Sequence, residues 1–131
     1  MASIRVKAPA TTANLGAGFD CLGMAVDIWN ILEVELTAGQ RPHDPLVAIS
    51  GEGSDELATD NSNLVYQAME FLCVEAGKPL PMIHLRCENN IPLSRGLGSS
   101  AAAISSGLVA ANVLAGNMFE PNDLLEMAAT L

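Results

Sequence analysis

Apolar and charged residues alternate from the first few positions: Ile4, Val6 and Ala8 are interleaved with Arg5 and Lys7. A period of two puts successive side chains on opposite faces, so this stretch predicts a short first strand ending at Pro9. "DIWNILEVEL" (27–36) repeats the pattern, with Ile28, Leu32, Val34 and Leu36 on one face and Glu33 and Glu35 on the other. "LVAIS" (46–50) predicts a short buried strand. "MIHLRCE" (82–88) sets Ile83, Leu85 and Cys87 against His84, Arg86 and Glu88, a half-exposed strand. Between these strands the period changes. Leu64, Val65, Ala68, Met69 and Leu72 recur at helical spacing behind the N-cap candidates Asp60, Asn61 and Ser62, and Gly77 and Pro79 end the run. A second helix is predicted from about Ser99 to Ala115, and a third from near Pro121 that is still running at Leu131. "PATTANLGAGFD" (9–20), "QRPHDP" (40–45) and "GEGSDELATD" (51–60) read as loops, the last of them acidic.

The end of the chain, "EMAATL", has no Gly, Asn or Pro to close that third helix. Its last carbonyls have no evident cap, so the expectation is a piece of a longer protein, with further site residues after Leu131.

Composition narrows the classes. The 131 residues suffice for one domain with a real core but not for two. Half the residues are hydrophobic and 16% are charged, which describes a globular chain. A net charge of −9 argues against a general nucleic-acid or membrane-surface role, while leaving room for a small anion at a local site. No signal-peptide pattern opens the chain, and Ala101–Ala115 is too short and too rich in Ala, Ser and Gly to span a bilayer. Cys21, Cys73 and Cys87 are odd in number and scattered, which fits reduced thiols in the cytoplasm. Two isolated histidines give no metal-ligand spacing.

The chemistry concentrates in "PLSRGLGSSAAAIS" (92–105). The order is strand, Gly-x-Gly-Ser-Ser, helix, which aims the free N–H groups of a first helical turn at the loop. The helix dipole adds roughly half a positive charge there. Gly96 and Gly98 allow a large anion close to the backbone. From Asn89 to Met118 there is no acidic residue, and the one charge is Arg95. A plainer reading is a glycine turn into a closely packed helix; it accounts for Ala101, Ala102, Ala103 and Gly107 but not for the serine pair or the missing acids. A Walker loop is excluded, because no lysine follows Lys78. Gly96-x-Gly98-x-x-Ala101 does satisfy the dinucleotide pattern G-x-G-x-x-A. The acid that pattern expects about 20 residues on falls at Glu120, beside Pro121 at a helix start rather than after a second strand, so hydride chemistry fits less well than phosphoryl chemistry.

"PLSRGLGSSAA" (92–102) closely resembles the phosphate motif of the GHMP small-molecule kinases, P-x-x-x-G-L-G-S-S-A-A. "VKAPATTANLGAGFDCLGMAV" (6–26) is similar to the first motif of the homoserine kinase branch, departing from it at Ala17, where that branch commonly has Pro. The resemblance runs over all 131 residues and implies an α+β fold, with a mixed sheet packed against helices. This is the GHMP N-terminal, ATP-binding domain, similar to the second domain of ribosomal protein S5. It implies a chain that stops before the C-terminal domain and is expected to be inactive or nearly so by itself. The S5 likeness raises an RNA-binding module as an alternative, against which the −9 charge weighs. Another small alcohol as substrate is a further alternative.

What the resemblance implies can be given residue by residue. Backbone amides of Gly96, Leu97, Gly98, Ser99 and Ser100 hold ATP phosphates, within a loop that takes in Pro92, Leu93, Ser94, Arg95, Ala101 and Ala102. Ser100 helps ligate Mg²⁺, whose carboxylate ligand would fall just beyond Leu131. Asn63 matches a position near the adenine, or caps a helix. Asn14 and Asp20 match positions that contact L-homoserine, with Thr12 beside them. Turn stabilisation is the structural alternative for Asn14 and Asp20. Asp20 is also a candidate base, although the family is often read as working without one. Glu126 is not the metal carboxylate on this correspondence, and His84, mid-strand, is a surface or packing residue. ATP and Mg²⁺ are the implied cofactors, threonine biosynthesis the implied setting, and a homodimer the implied candidate assembly.

Overall fold

The alternating runs come together as one four-stranded sheet. The computed structural model describes residues 3–12, 24–37, 46–93 and 95–131. In chain order the elements are β1 (Ser3–Thr12), β2 (Met24–Leu36), β3 (Val47–Gly51), α1 (Leu64–Ala76), β4 (Ile83–Asn89), α2 (Ser99–Leu114) and α3 (Pro121–Thr130). The strand order is β1-β2-β4-β3. β1 and β4 flank β2 antiparallel, and β3 lies parallel to β4, so the sheet is mixed. The parallel pair needs a crossover, which α1 supplies.

Register sorts the side chains. Ile4, Val34, Leu85 and Val47 stand in one cross-strand row, and Val6, Leu32, Cys87 and Ile49 in the next. Leu32, Val34, Leu85 and Val47 are buried there under Met69 and Leu72 of α1 and Leu108 of α2. Complete burial of side chains this size stabilises the fold by roughly 1.5–3 kcal/mol each. The opposite face carries polar pairs such as Arg86 and Glu33, 3.6 Å apart and exposed. A solvated pair of this kind contributes little.

The helices pack closely because their contact surface is made of small residues. A methyl group at Gly107 would lie 2.6 Å from the Val65 carbonyl oxygen, so α1 and α2 approach at the distance only glycine permits. The C-terminal carbonyls of α2 find a cation in Lys78, whose Nζ donates to the Ala115 carbonyl at 2.8 Å. Asn112 is buried and exchanges two hydrogen bonds with the Phe119 backbone, shaping the turn into α3. Pro121 then opens α3 behind a capping box between Glu120 and Asp123.

The starts or ends of β1, β2 and α1 differ from the sequence pattern for identifiable reasons. β1 runs through Pro9 to Thr12. It is an edge strand, where a residue without N–H is tolerated, and the ladder shifts register between Pro9 and Ala10. β2 starts at Met24, before Asp27, because the lengthened β1 pairs that far. The N-cap of α1 is Asn63 rather than Asp60, Asn61 or Ser62. Asp60 instead organises the preceding turn, its Oδ1 accepting from the Ser62 N–H at 2.9 Å and the Ser62 hydroxyl at 2.5 Å. The third helix keeps its ladder to the last residue, as its pattern predicts: Leu131 N donates to the Met127 carbonyl at 3.2 Å and the Thr130 hydroxyl to the Glu126 carbonyl at 3.0 Å.

Candidate functional site

The loop between β4 and α2 is held at both ends. At its entry, the Asn30 Oδ1 accepts from two consecutive backbone amides, Asn90 N at 2.8 Å and Ile91 N at 2.9 Å. Asn90 Nδ2 donates back to the Trp29 carbonyl at 2.7 Å. At its exit, Thr11 N donates to the Leu97 carbonyl at 2.8 Å. Between these ties Ile91 is fully buried, and it packs with Ala8, Ala10 and Ala102 in a small second core against which Leu97 also rests. The loop therefore has apolar roots, and its residues Arg95 and Gly96 stand exposed.

Gly98 ends the loop as the N-cap of α2, with φ +75°. That left-handed conformation favours glycine, and a Cβ there would also collide with the Thr11 hydroxyl. Being glycine, it offers no side chain to the amides of the first turn. Those N–H groups, carrying the positive end of the helix dipole, are what a helix presents to an anion. No acidic residue lies in the first turn of α2.

Ser99 and Ser100, in that first turn, line a cavity of about 260 Å³. Its far wall includes Asn63 and Val65, at the N-terminus of α1, and its floor includes Cys87 and Ser106. Two helix N-termini thus border one cavity. Asn63 is buried, and its amide is used on both sides: Oδ1 accepts from Val65 N at 2.9 Å, and Nδ2 donates to the Ala58 carbonyl at 2.8 Å. It caps the helix and faces the cavity at once. Ser106 donates its hydroxyl to the Ala102 carbonyl at 2.7 Å, which leaves its side-chain oxygen satisfied in the floor. Burial pushes the Cys87 thiol up to about 11, so the floor is neutral and unreactive near pH 7.

Among the residues singled out from the sequence, the structure brings Leu93, Ser99, Ser100, Ala102 and Asn63 to this cavity. Gly96, Leu97 and Gly98 do not line it and instead lead into the first turn of α2, and Pro92 stands half-buried next to Ile91. Ala101 is exposed rather than packed, whereas Ala102 is buried. Thr12 ends β1 opposite Met24. Its neighbour Thr11 is the threonine that meets the loop. Asn14, Asp20 and Ser94 lie outside the described residues. Glu126 lies on α3, away from the cavity, and His84 is half-exposed within β4. Among the described residues no group of three His, Cys, Asp or Glu side chains could hold a metal ion.

Thr11 and Asn30 were not legible as site residues from local motifs. Asn30 does leave a signal: it continues the inward row of Val34 and Leu32, a polar residue at a core position of β2. A buried amide in that place needs partners, and it finds them in the loop stem.

The family profile of the GHMP kinases N terminal domain matches residues 63–131. The homoserine kinase of Desulfitobacterium hafniense is 43% identical over 95% of this chain, which covers 40% of that protein. The crystal structure of homoserine kinase from Cytophaga hutchinsonii superposes with a TM-score of 0.76 at 35% identity, over 96% of this chain and 39% of that one. Mevalonate kinase from Methanococcus jannaschii has the same fold, with a TM-score of 0.70 at 14% identity over 97% of this chain and 45% of that one. The chain spans about 40% of the length of the curated relatives it matches. No helix among the described residues is long and apolar enough to cross a membrane.

Proposed function

The chain belongs to the GHMP kinases, with the fold of their N-terminal domain, and on that premise we propose that it is the nucleotide-binding portion of a homoserine kinase. The complete protein transfers the γ-phosphoryl group of ATP to the side-chain hydroxyl of L-homoserine, a step of threonine biosynthesis carried out in the cytoplasm. The observation that carries this reading is the α2 N-terminus: a first turn with no side-chain cap, behind a loop tied down at both ends, opening on a cavity that Asn63, Ser99 and Ser100 line together. Similarity to homoserine kinases supports the choice of substrate.

Phosphoryl transfer needs alignment and charge stabilisation more than covalent help. The amides from Gly96 to Ser100 supply donors for the β- and γ-phosphate oxygens. The cavity beside Asn63 accepts the adenine end, its wall kept in place by the cap that Asn63 makes. Ser100 offers a hydroxyl to Mg²⁺, which when bound neutralises phosphate charge. Asn14 and Asp20, with Thr12, form the homoserine side of the site, their amide and carboxylate matched to an ammonium and a carboxylate. The reading places 1–131 in one domain and assigns turnover to the complete protein, with this stretch alone inactive or nearly so.

The test is ADP formation by the complete protein with homoserine, compared with mevalonate, shikimate and water as acceptors. Homoserine-dependent turnover is the expected result. Equal or greater turnover with another alcohol would move the assignment within the family, and no ATP turnover with any acceptor would remove it.

A further inference from the structure

We propose that Asn30 is a positioning residue for the phosphate loop, coupling the nucleotide cavity to the place where that loop leaves the sheet. The inference rests on the nucleotide reading above and adds a residue that neither motif contains.

Asn30 is 9% exposed, at the end of the inward row of β2 and opposite Ala8 of β1. Its Oδ1 takes two N–H donors, which fills both lone pairs of a carbonyl oxygen. The donors come from Asn90 and Ile91, the residues at which the chain turns out of β4 into the loop. A single atom of β2 thus sets the direction of that exit. The return bond from Asn90 Nδ2 to the Trp29 carbonyl makes the tie reciprocal, so the loop stem cannot swing without breaking three hydrogen bonds at once. Ile91, held by this tie, is the fully buried root of the small core on which Leu97 rests.

Asn30 also lines the cavity. With Oδ1 committed to the loop stem, what the amide has left to present is its NH₂ donor end. One side chain therefore touches the cavity and fixes the loop. The arrangement orients the phosphate-binding amides before the nucleotide arrives, which lowers the ordering cost of binding. Removing Asn30 leaves two backbone donors with no partner at a half-buried to buried site, a larger loss than removing one surface bond.

The experiment uses the complete protein and follows the backbone amides directly. Asn30→Ala is expected to speed hydrogen exchange at Asn90 and Ile91. It is expected to raise the ATP KM and the ATP Kd on the order of tenfold, with the homoserine KM unchanged. Asn30→Asp keeps the accepting oxygen, so it is expected to retain amide protection at Asn90 and Ile91, while its added charge still weakens ATP binding. Asn90→Ala removes the return bond to Trp29, with a long exposed contact to Glu88 at 3.5 Å, and serves if the Asn30 variants do not fold; the same shift, smaller, is expected. Faster exchange with an unchanged ATP Kd would overturn the proposal, since the tie would then be structural only. An equal rise in both substrate KM values would also overturn it. If the unaltered protein binds ATP but does not phosphorylate homoserine, only the substrate assignment fails, and the nucleotide Kd still decides the role of Asn30.

Discussion

Gly98 and Gly96 are neighbours in one motif but carry different constraints. Both have positive φ, +75° and +68°, which a residue with a Cβ adopts at a cost of roughly 1–2 kcal/mol. At Gly96 a new methyl meets open space, while at Gly98 it collides with the Thr11 hydroxyl. Gly98→Ala should therefore lower unfolding stability by more than Gly96→Ala, by roughly a further 1–3 kcal/mol, and denaturant titration of the two variants measures the difference. Loss of equal size at both positions would mean that the contact with Thr11 is unimportant. Ser100→Ala tests the proposed metal hydroxyl. Turnover should fall with little change in stability, because Ser100 is exposed in the first turn. Cys87 adds a dependence on pH. Its folded pKa stands above the unfolded one, so the thiol favours the folded state below about 9 and that contribution fades as pH climbs toward 11. Stability should decline across that window by up to roughly 1.4 kcal/mol per unit, and a Cys87→Ala variant should flatten the decline. Candidate site residues were legible where their pattern is local. The serine pair and glycines announce themselves within a dozen positions. Asn30 does not, because its partners Asn90 and Ile91 lie 60 and 61 positions away.

Elements were readable from periodicity, and their ends were not, for reasons that differ by element. A proline ends a strand only where its missing N–H would be needed. On the outer edge of β1 it is not, so β1 continues to Thr12 and brings Thr11 to the loop. Three good capping residues precede α1, and the choice of Asn63 over them depends on the Ala58 carbonyl receiving its Nδ2. Replacing Asn63 by Ala should cost about 1–2 kcal/mol as a lost cap. It should also weaken ATP binding if the α1 N-terminus forms the adenine wall; a stability loss without any binding change would separate capping from ligand contact. The α1–α2 interface makes its own prediction. At Gly107 an added methyl meets the Val65 carbonyl at 2.6 Å and the Ala68 methyl at 3.0 Å, so Gly107→Ala must push the helices apart. Overpacking of this kind costs roughly 1–3 kcal/mol. Because α1 and α2 both border the cavity, the same variant should disturb nucleotide affinity as well as the melting temperature.

At the scale of the molecule, the proposed function requires a chain with a net charge of −9 to attract an anion. The fold answers it by geometry. The strand order β1-β2-β4-β3 was not legible, since pairing β2 with β4 and β3 with β4 joins elements distant in sequence. That order is what places the exit of β4 beside both β2 and the N-terminus of α1. The acid-free stretch from Asn89 to Phe119 supplies Leu93, Ser99, Ser100 and Ser106 to a cavity bordered by two positive helix ends, and the acidic turn 52–60 reaches it through the uncharged Leu57 and Ala58. On the proposed reading attraction comes from short-range dipoles, which favour a compact polyphosphate over an extended polyanion. The two rival readings of the glycine loop can be separated on this basis by thermal unfolding of the complete protein. MgATP at about 100 times its Kd should stabilise the folded state by roughly 2.7 kcal/mol. NADH should give no comparable shift, because among the described residues α2 leads into α3 and not into a second parallel strand with a carboxylate at its end. Single-stranded RNA should give none, because a net charge of −9 repels a polyanion. Stabilisation by NADH equal to that by MgATP would favour the dinucleotide fit of Gly96-x-Gly98-x-x-Ala101. Stabilisation by MgATP alone, lost in Gly98→Ala, would tie the effect to the first turn of α2.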